Sequence, residues 1–177
     1  MIKTIFSVYR FLDKISDSID KIVETRALNA CHMELSNSAF NDVSVVTDDI
    51  LELTQRKITL INLKVLTTSM IKSLDNDYAR LIILKYIENR SYVEISEIMN
   101  ISERTITRWH NNAVVSGGFY LEKEGYNFNK LLEMLKNEKW ILQTYQSFSQ
   151  KSQTKKNIKK AHMFQNACKE YKKILCK

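Results

Sequence analysis

A chain of 177 residues with no proline, and with its three glycines confined to positions 117, 118 and 125, offers few sites for tight hairpin turns and little to interrupt helices. That usage excludes a sheet-built fold and predicts an all-α one: an N-terminal long helical hairpin, a central helix-turn-helix and a C-terminal helical extension with a basic last helix. The formal charge of +7 is concentrated at one end, because residues 149–177 hold nine Lys and one Glu while residues 1–148 sum to −1.

From Ile5 the apolar residues fall in alternating steps of three and four, at Ile5, Val8, Leu12, Ile15, Ile19 and Ile22, with Arg26 and Asn29 continuing the register. This heptad seam predicts a helix that lays one narrow stripe on a partner helix, in the same chain or in a second copy as a homodimer. Periodicity fails over 34–44, which reads as a loop. Thr47 then has the character of an N-cap, with Asp48 and Asp49 at the positive end of the helix dipole. Ile50, Leu53, Ile58, Ile61, Val65, Ile71 and Leu74 mark the expected buried stripe of a second long helix, antiparallel to the first. Residues 1–75 are thus expected to form the hairpin. Capping and solvation account for Asp48, Asp49, Glu52, Asp75 and Asp77 better than a metal or an acid–base pair does.

The stretch from Asp77 to Ala113 carries the chemistry, as the centre of a module expected over 76–116. Leu81, Ile82, Leu84 and Ile87 give a helix an apolar face, and Asn89-Arg90 ends it. Ser91 caps the next helix, with Glu94 completing a capping box over Tyr92 to Met99, whose Ile95 and Ile98 are expected inward. A second cap follows at Ser102. Two short helices joined through a tight turn, with Ile101 plugging the angle and Ile106 and Trp109 turned inward, are what a helix-turn-helix needs to bury its small core. The outward positions on helix 102–113 then carry Ser102, Glu103, Arg104, Thr107, Arg108 and Asn111, residue types that read base edges in a major groove. Lys85, Arg90, Ser91, Tyr92 and Asn112 fall where the supporting elements would meet phosphates. Double-stranded DNA is therefore the expected partner.

Gly117-Gly118 is expected to end this helical run, with an extension over 119–177. That extension reads as a helix from about Asn127 to Phe148, a polar link and an amphipathic last helix. Lys155, Lys156, Lys159 and Lys160 of the last helix suit sequence-independent phosphate contact and equally suit a solvated, highly charged terminal helix. Cys31, Cys168 and Cys176 are too few for a disulfide framework, and the spacing of His162, Cys168 and Cys176 matches no zinc pattern, so neither metal nor cofactor is expected. No stretch approaches the ~20 apolar residues of a membrane span, and the start lacks a cleavable leader pattern. The expectation is a cytoplasmic protein without membrane contact. With three scattered His, no Gly-rich phosphate loop and no nucleophile beside a base, an enzyme is not expected.

Through "RLIILKYIE", "SYVEISEIMNIS" and "ERTITRWHNNA" the chain resembles region 4 of bacterial sigma factors, and within that group the late-gene regulators of Gram-positive phages of the ArpU and RinA type. In those proteins a helical hairpin precedes the module, and the last helix often carries a His at the place of His110. The resemblance implies a transcriptional regulator, most simply an activator, that contacts promoter DNA near a −35-like element and touches RNA polymerase. It is strong over Ile71 to Ala113, loose before it and absent beyond Gly118, where the basic extension departs from the pattern. The aromatic cluster with which a complete sigma factor melts a promoter is missing before Asp77. Two other readings fit helices of this kind: a small-terminase-like DNA-packaging subunit, and a helical interaction module that reads no sequence.

Overall fold

The computed structural model describes residues 1–33 and 40–150, and the described chain is helical with no strand. Helix α1 (Ile2–Tyr9) is separated by Arg10 and Phe11 from α2 (Leu12–Met33). The chain returns along α3 (Phe40–Lys72), a 33-residue helix about 50 Å long at ~1.5 Å per residue. Three ion-paired rungs, Asp13 with Lys64, Asp20 with Lys57 and Arg26 with Asp49, fix α2 antiparallel to α3 as the sequence predicts. These side chains are partly exposed, so the rungs set register more than stability.

The seam is occupied inside the chain. Ile5, Val8, Leu12 and Ile19 are buried and Ile15 packs against the core, so these residues offer no face to a second copy. Past Ile19 the stripe moves to Val23 and leaves Ile22 44% exposed, because a straight helix follows 3.6 residues per turn and drifts off a heptad. The single N-terminal helix implied by the seam is also interrupted. Before the break, α1 packs on α3, on α6 and on the turn that follows α4, so the core runs across the expected division at residue 75.

Two expectations for α3 are corrected. It begins at Phe40, so Phe40 to Ser44 belong to the helix and Thr47 lies within it rather than capping it; residues 34–39 of the expected loop lie outside the described residues. Its buried stripe is Leu60, Leu63, Thr67, Met70 and Ile71, with Leu74 buried just beyond its end as expected, while Ile58, Ile61 and Val65 face solvent. Apolar residues surround this helix on most sides, so the neighbouring elements, not the periodicity, select the face that is covered.

Asp75 precedes α4 (Asn76–Ile82), which continues into a π-helical turn, Ile83–Ile87, closed by Glu88 N–H donating to the Ile83 carbonyl at 3.0 Å. Asn89, in the left-handed region at φ 60°, ends it. Then come α5 (Tyr92–Met99) and α6 (Glu103–Lys123), both packed on α4 or its π turn. Contrary to expectation, α6 runs through Gly117 and Gly118. Gly117 is needed for contact rather than termination: a Cβ there would stand 3.1 Å from Met70 Sδ and 3.4 Å from Ile2 Cγ2. The turn comes at Gly125, at φ 76°. The helix expected over 127–148 is divided into α7 (Phe128–Met134) and α8 (139–150), with Glu138 in the break. The lysine-rich last helix lies outside the described residues.

Candidate nucleic-acid interface

The two caps that define the central module form as the sequence predicts. Ser91 Oγ accepts from Glu94 N–H at 3.2 Å, and Glu94 Oε2 accepts from Ser91 N–H at 2.7 Å. These hydrogen bonds hold the Glu94 carboxyl below its ordinary value. At the other end of α5, Asn100 takes the left-handed conformation, φ 54°, that an Asn tolerates. The turn closes as Ile101 N–H donates to the Ser96 carbonyl at 3.1 Å and Ser96 Oγ donates to the Ile101 carbonyl at 2.6 Å. Ser102 caps α6 by accepting from Thr105 N–H at 3.3 Å.

Under this turn lies the small core that orients the two helices. Ile95 and Ile106 are fully buried, Ile101 packs against them as the plug, and Trp109 meets Tyr78 of α4 edge to face. Ile98 departs from expectation at 43% exposed; Met99, one turn beyond Ile95, packs inward in its place.

All six positions proposed from the sequence for base contact, Ser102, Glu103, Arg104, Thr107, Arg108 and Asn111, are exposed on α6. Arg104 and Arg108, one turn apart, take part in no ion pair among the described residues. Two planar guanidinium groups are thus presented side by side with no carboxylate to neutralise them. Thr107 Oγ1 donates to the Glu103 carbonyl at 2.9 Å, which restrains its rotamer. Ser102 Oγ is engaged at the cap, where it also shares a 3.0 Å hydrogen bond with Thr105 Oγ1.

The five phosphate candidates are placed less uniformly. Ser91 and Tyr92 stand at the N-terminus of α5. Lys85 Nζ lies 4.5 Å over the Tyr92 ring and donates to the Arg90 carbonyl at 3.1 Å, so the π turn and the start of α5 are tied together. Arg90 is shared between Glu88 and Glu94, a pair of exposed contacts that a phosphate can displace at small cost. Asn112 lies apart from this group and donates to Tyr78 Oη at 3.4 Å on the α4 side. The basic-tail candidates Lys155, Lys156, Lys159 and Lys160 lie outside the described residues.

Two arrangements were missed by sequence reasoning. His110 is 4% exposed on the inner face of α6, and its Nε2 shares a 2.9 Å hydrogen bond with Tyr86 Oη. Burial, reinforced by the nearby positive charges of Lys3 and Lys85, lowers His110 to about 4, and burial likewise raises Tyr86. Neither ring therefore carries charge near neutrality. The only sequence signal was the i, i+4 spacing of His110 from Ile106, on the side opposite Arg108. The second arrangement is fully buried Glu138, which accepts from Arg56 Nε at 3.0 Å and from Trp140 Nε1 at 2.9 Å, clamping the C-terminal extension to α3 across 82 residues of sequence.

Among the described residues no group of His, Cys, Asp or Glu is placed to hold a metal ion, and no helix is long and apolar enough to cross a membrane. No curated protein and no solved structure matches the chain. Residues 65–115, from the last turns of α3 to the middle of α6, match the family model of sigma-70, region 4, and this similarity supports a helix-turn-helix DNA-binding role for that part of the chain.

Proposed function

We propose that the protein is a sequence-specific transcriptional regulator, an activator of the kind found in phages and mobile elements, which acts on promoter DNA in the cytoplasm and catalyses no reaction. The N-terminal half of α6 enters the major groove. There Arg104 and Arg108 each grip a guanine through O6 and N7, Asn111 pairs with an adenine, and Glu103 and Thr107 discriminate neighbouring bases. Ser91 and Tyr92 seat the supporting helix on the backbone. RNA polymerase is the second partner this reading assigns, in keeping with the sigma-like module. The observation that carries it is the unpaired, exposed couple Arg104 and Arg108 on a helix whose opposite face is locked by Ile106, Trp109 and His110.

The test is Arg104→Ala and Arg108→Ala, with binding measured on DNA from the gene's own neighbourhood and on random duplex. Each bidentate pair is worth about 1 to 3 kcal/mol of discrimination, so each variant should lose roughly ten- to a hundredfold in preference for the specific site. Thermal unfolding should be unchanged. Folded variants that keep the wild-type footprint sink the assignment of α6 as the reading helix. Ring-sized assemblies with sequence-indifferent binding place the chain instead with DNA-packaging subunits.

A further inference from the structure

A cleft of about 1260 Å³ opens beside the start of α5, walled by α1, the π turn, α6 and the end of α8. Lys3 of α1, Lys85 of the π turn, Asn89 and Tyr92 line it, and among the described residues no Asp or Glu contributes to its wall. A chain whose first 148 residues sum to −1 has thus gathered lysines from two distant segments around one carboxylate-free opening. The field of those lysines reaches the floor of the cleft, where both help to keep His110 neutral. The opening is also continuous with the phosphate face of the helix-turn-helix, because Lys85 and Tyr92 belong to both. The last described residue, Gln150, lies on the same rim, and the chain continues from it into a segment with eight further Lys by residue 173 and a ninth at Lys177.

We propose that this cleft is a second phosphate-binding surface, which takes the duplex backbone flanking the bases read by α6, with Lys3 and Lys85 as its cations and Lys3 as the contact that the helix-turn-helix itself does not supply. The inference rests on the reading of the chain as a duplex-DNA binder. A phosphodiester suits the opening better than a buried ligand does, because the cleft is broad and open and the charged side chains among its described lining residues are all cationic. Its consequence is a footprint longer than one recognition helix covers, extended on the side of α1.

The experiment uses the full chain with Lys3→Gln and with Lys3→Arg as the conservative control, both checked for unchanged thermal unfolding. Affinities for the specific duplex and for random duplex are measured over a series of salt concentrations, with hydroxyl-radical footprints on the specific one. Loss of one phosphate contact should reduce the slope of log K against log salt by about 0.9, on both duplexes alike, and Lys3→Arg should restore it. The footprint of Lys3→Gln should shorten at one flank while the base preference set by Arg104 and Arg108 stays as in wild type. An unchanged slope and footprint overturn the proposal. So does displacement of duplex from wild type, but not from Lys3→Gln, by low concentrations of ATP, which assigns the cleft to a free nucleotide. If Arg104→Ala and Arg108→Ala leave binding unaltered while Lys3→Gln still lowers the slope on random duplex, the base-reading assignment fails and the cleft stands.

Discussion

At the scale of single residues, the interface is built from two opposite uses of polar side chains on one helix. Arg104 and Arg108 stay in water, where their guanidinium groups are open to a ligand, and Thr107 and Asn111 are exposed beside them, whereas His110 is taken out of water and hydrogen-bonded to Tyr86. A buried neutral His makes stability depend on pH. Its folded value of about 4 lies below the unfolded value of 6.5, so between those two values the unfolded chain binds more protons than the folded one. The stabilisation is therefore complete above pH 6.5 and is lost as pH falls toward 4, by about 3 kcal/mol in all. Tyr86 and Tyr92, raised by burial, do not titrate in that window, and the positive charges of Lys3 and Lys85 oppose a proton on the ring. Denaturant unfolding from pH 7.5 to 4.5 should show this decline in wild type and a flatter one in His110→Gln. Equal slopes would mean that His110 opens to solvent in the folded state. The exposed set was legible in the sequence because it follows from the caps and the helical period. The Tyr86–His110 pair was not, because it joins two elements across 24 residues and depends on the π turn that rotates Tyr86 toward α6.

At the scale of elements, legibility followed the source of each constraint. The caps at Ser91 and Ser102 and the plug at Ile101 are local, set by hydrogen bonds within a few residues, and the chain declares them. The face that α3 buries is tertiary: Leu60, Leu63 and Met70 are covered where α1, α2 and α6 come to meet them, although Ile58, Ile61 and Val65 are equally apolar. The double glycine in α6 misled for the same reason, since Gly117 answers to the proximity of Met70 and Ile2 and not to the helix it sits in. Nor did the sequence announce the clamp between the C-terminal extension and α3. Glu138 sits in the break between α7 and α8 with no exposed surface, and among the described residues its charge is balanced through Arg56, with Trp140 Nε1–H as a further donor. Replacing it by Ala leaves the indole donor unpaired and the guanidinium without its carboxylate. Arg56 keeps 31% of its side chain in water, which softens the penalty below that of a fully buried pair. Glu138→Ala should cost about 2 to 4 kcal/mol in denaturant unfolding and loosen α7 and α8 in hydrogen exchange. Protection in α5 and α6 should persist below the global transition; uniform loss across the molecule would show that the extension and the helix-turn-helix unfold as one unit.

At the scale of the whole molecule, charge is unevenly divided along the chain. Residues 1–148 sum to −1 and include Arg104 and Arg108 on the exposed face of α6 and Lys3 and Lys85 around the cleft, whereas residues 149–177 carry +8 with little opposing charge. The first arrangement can discriminate sequences because its groups are held in fixed geometry by a packed core. The second can contribute attraction to any phosphate without base recognition. Replacing Lys155, Lys156, Lys159 and Lys160 together by Gln removes half of that +8 and should separate the two effects. If each of the four lysines neutralises one phosphate, the slope of log K against log salt should fall by about 3 to 4, on specific and random duplex equally. The ratio of the two affinities should then be unchanged, in contrast to Arg104→Ala, which should lower that ratio and alter the slope by at most about 1. A quadruple variant that loses specificity as well as affinity would show that the tail takes part in base reading, and one that alters neither would remove it from the DNA interface altogether.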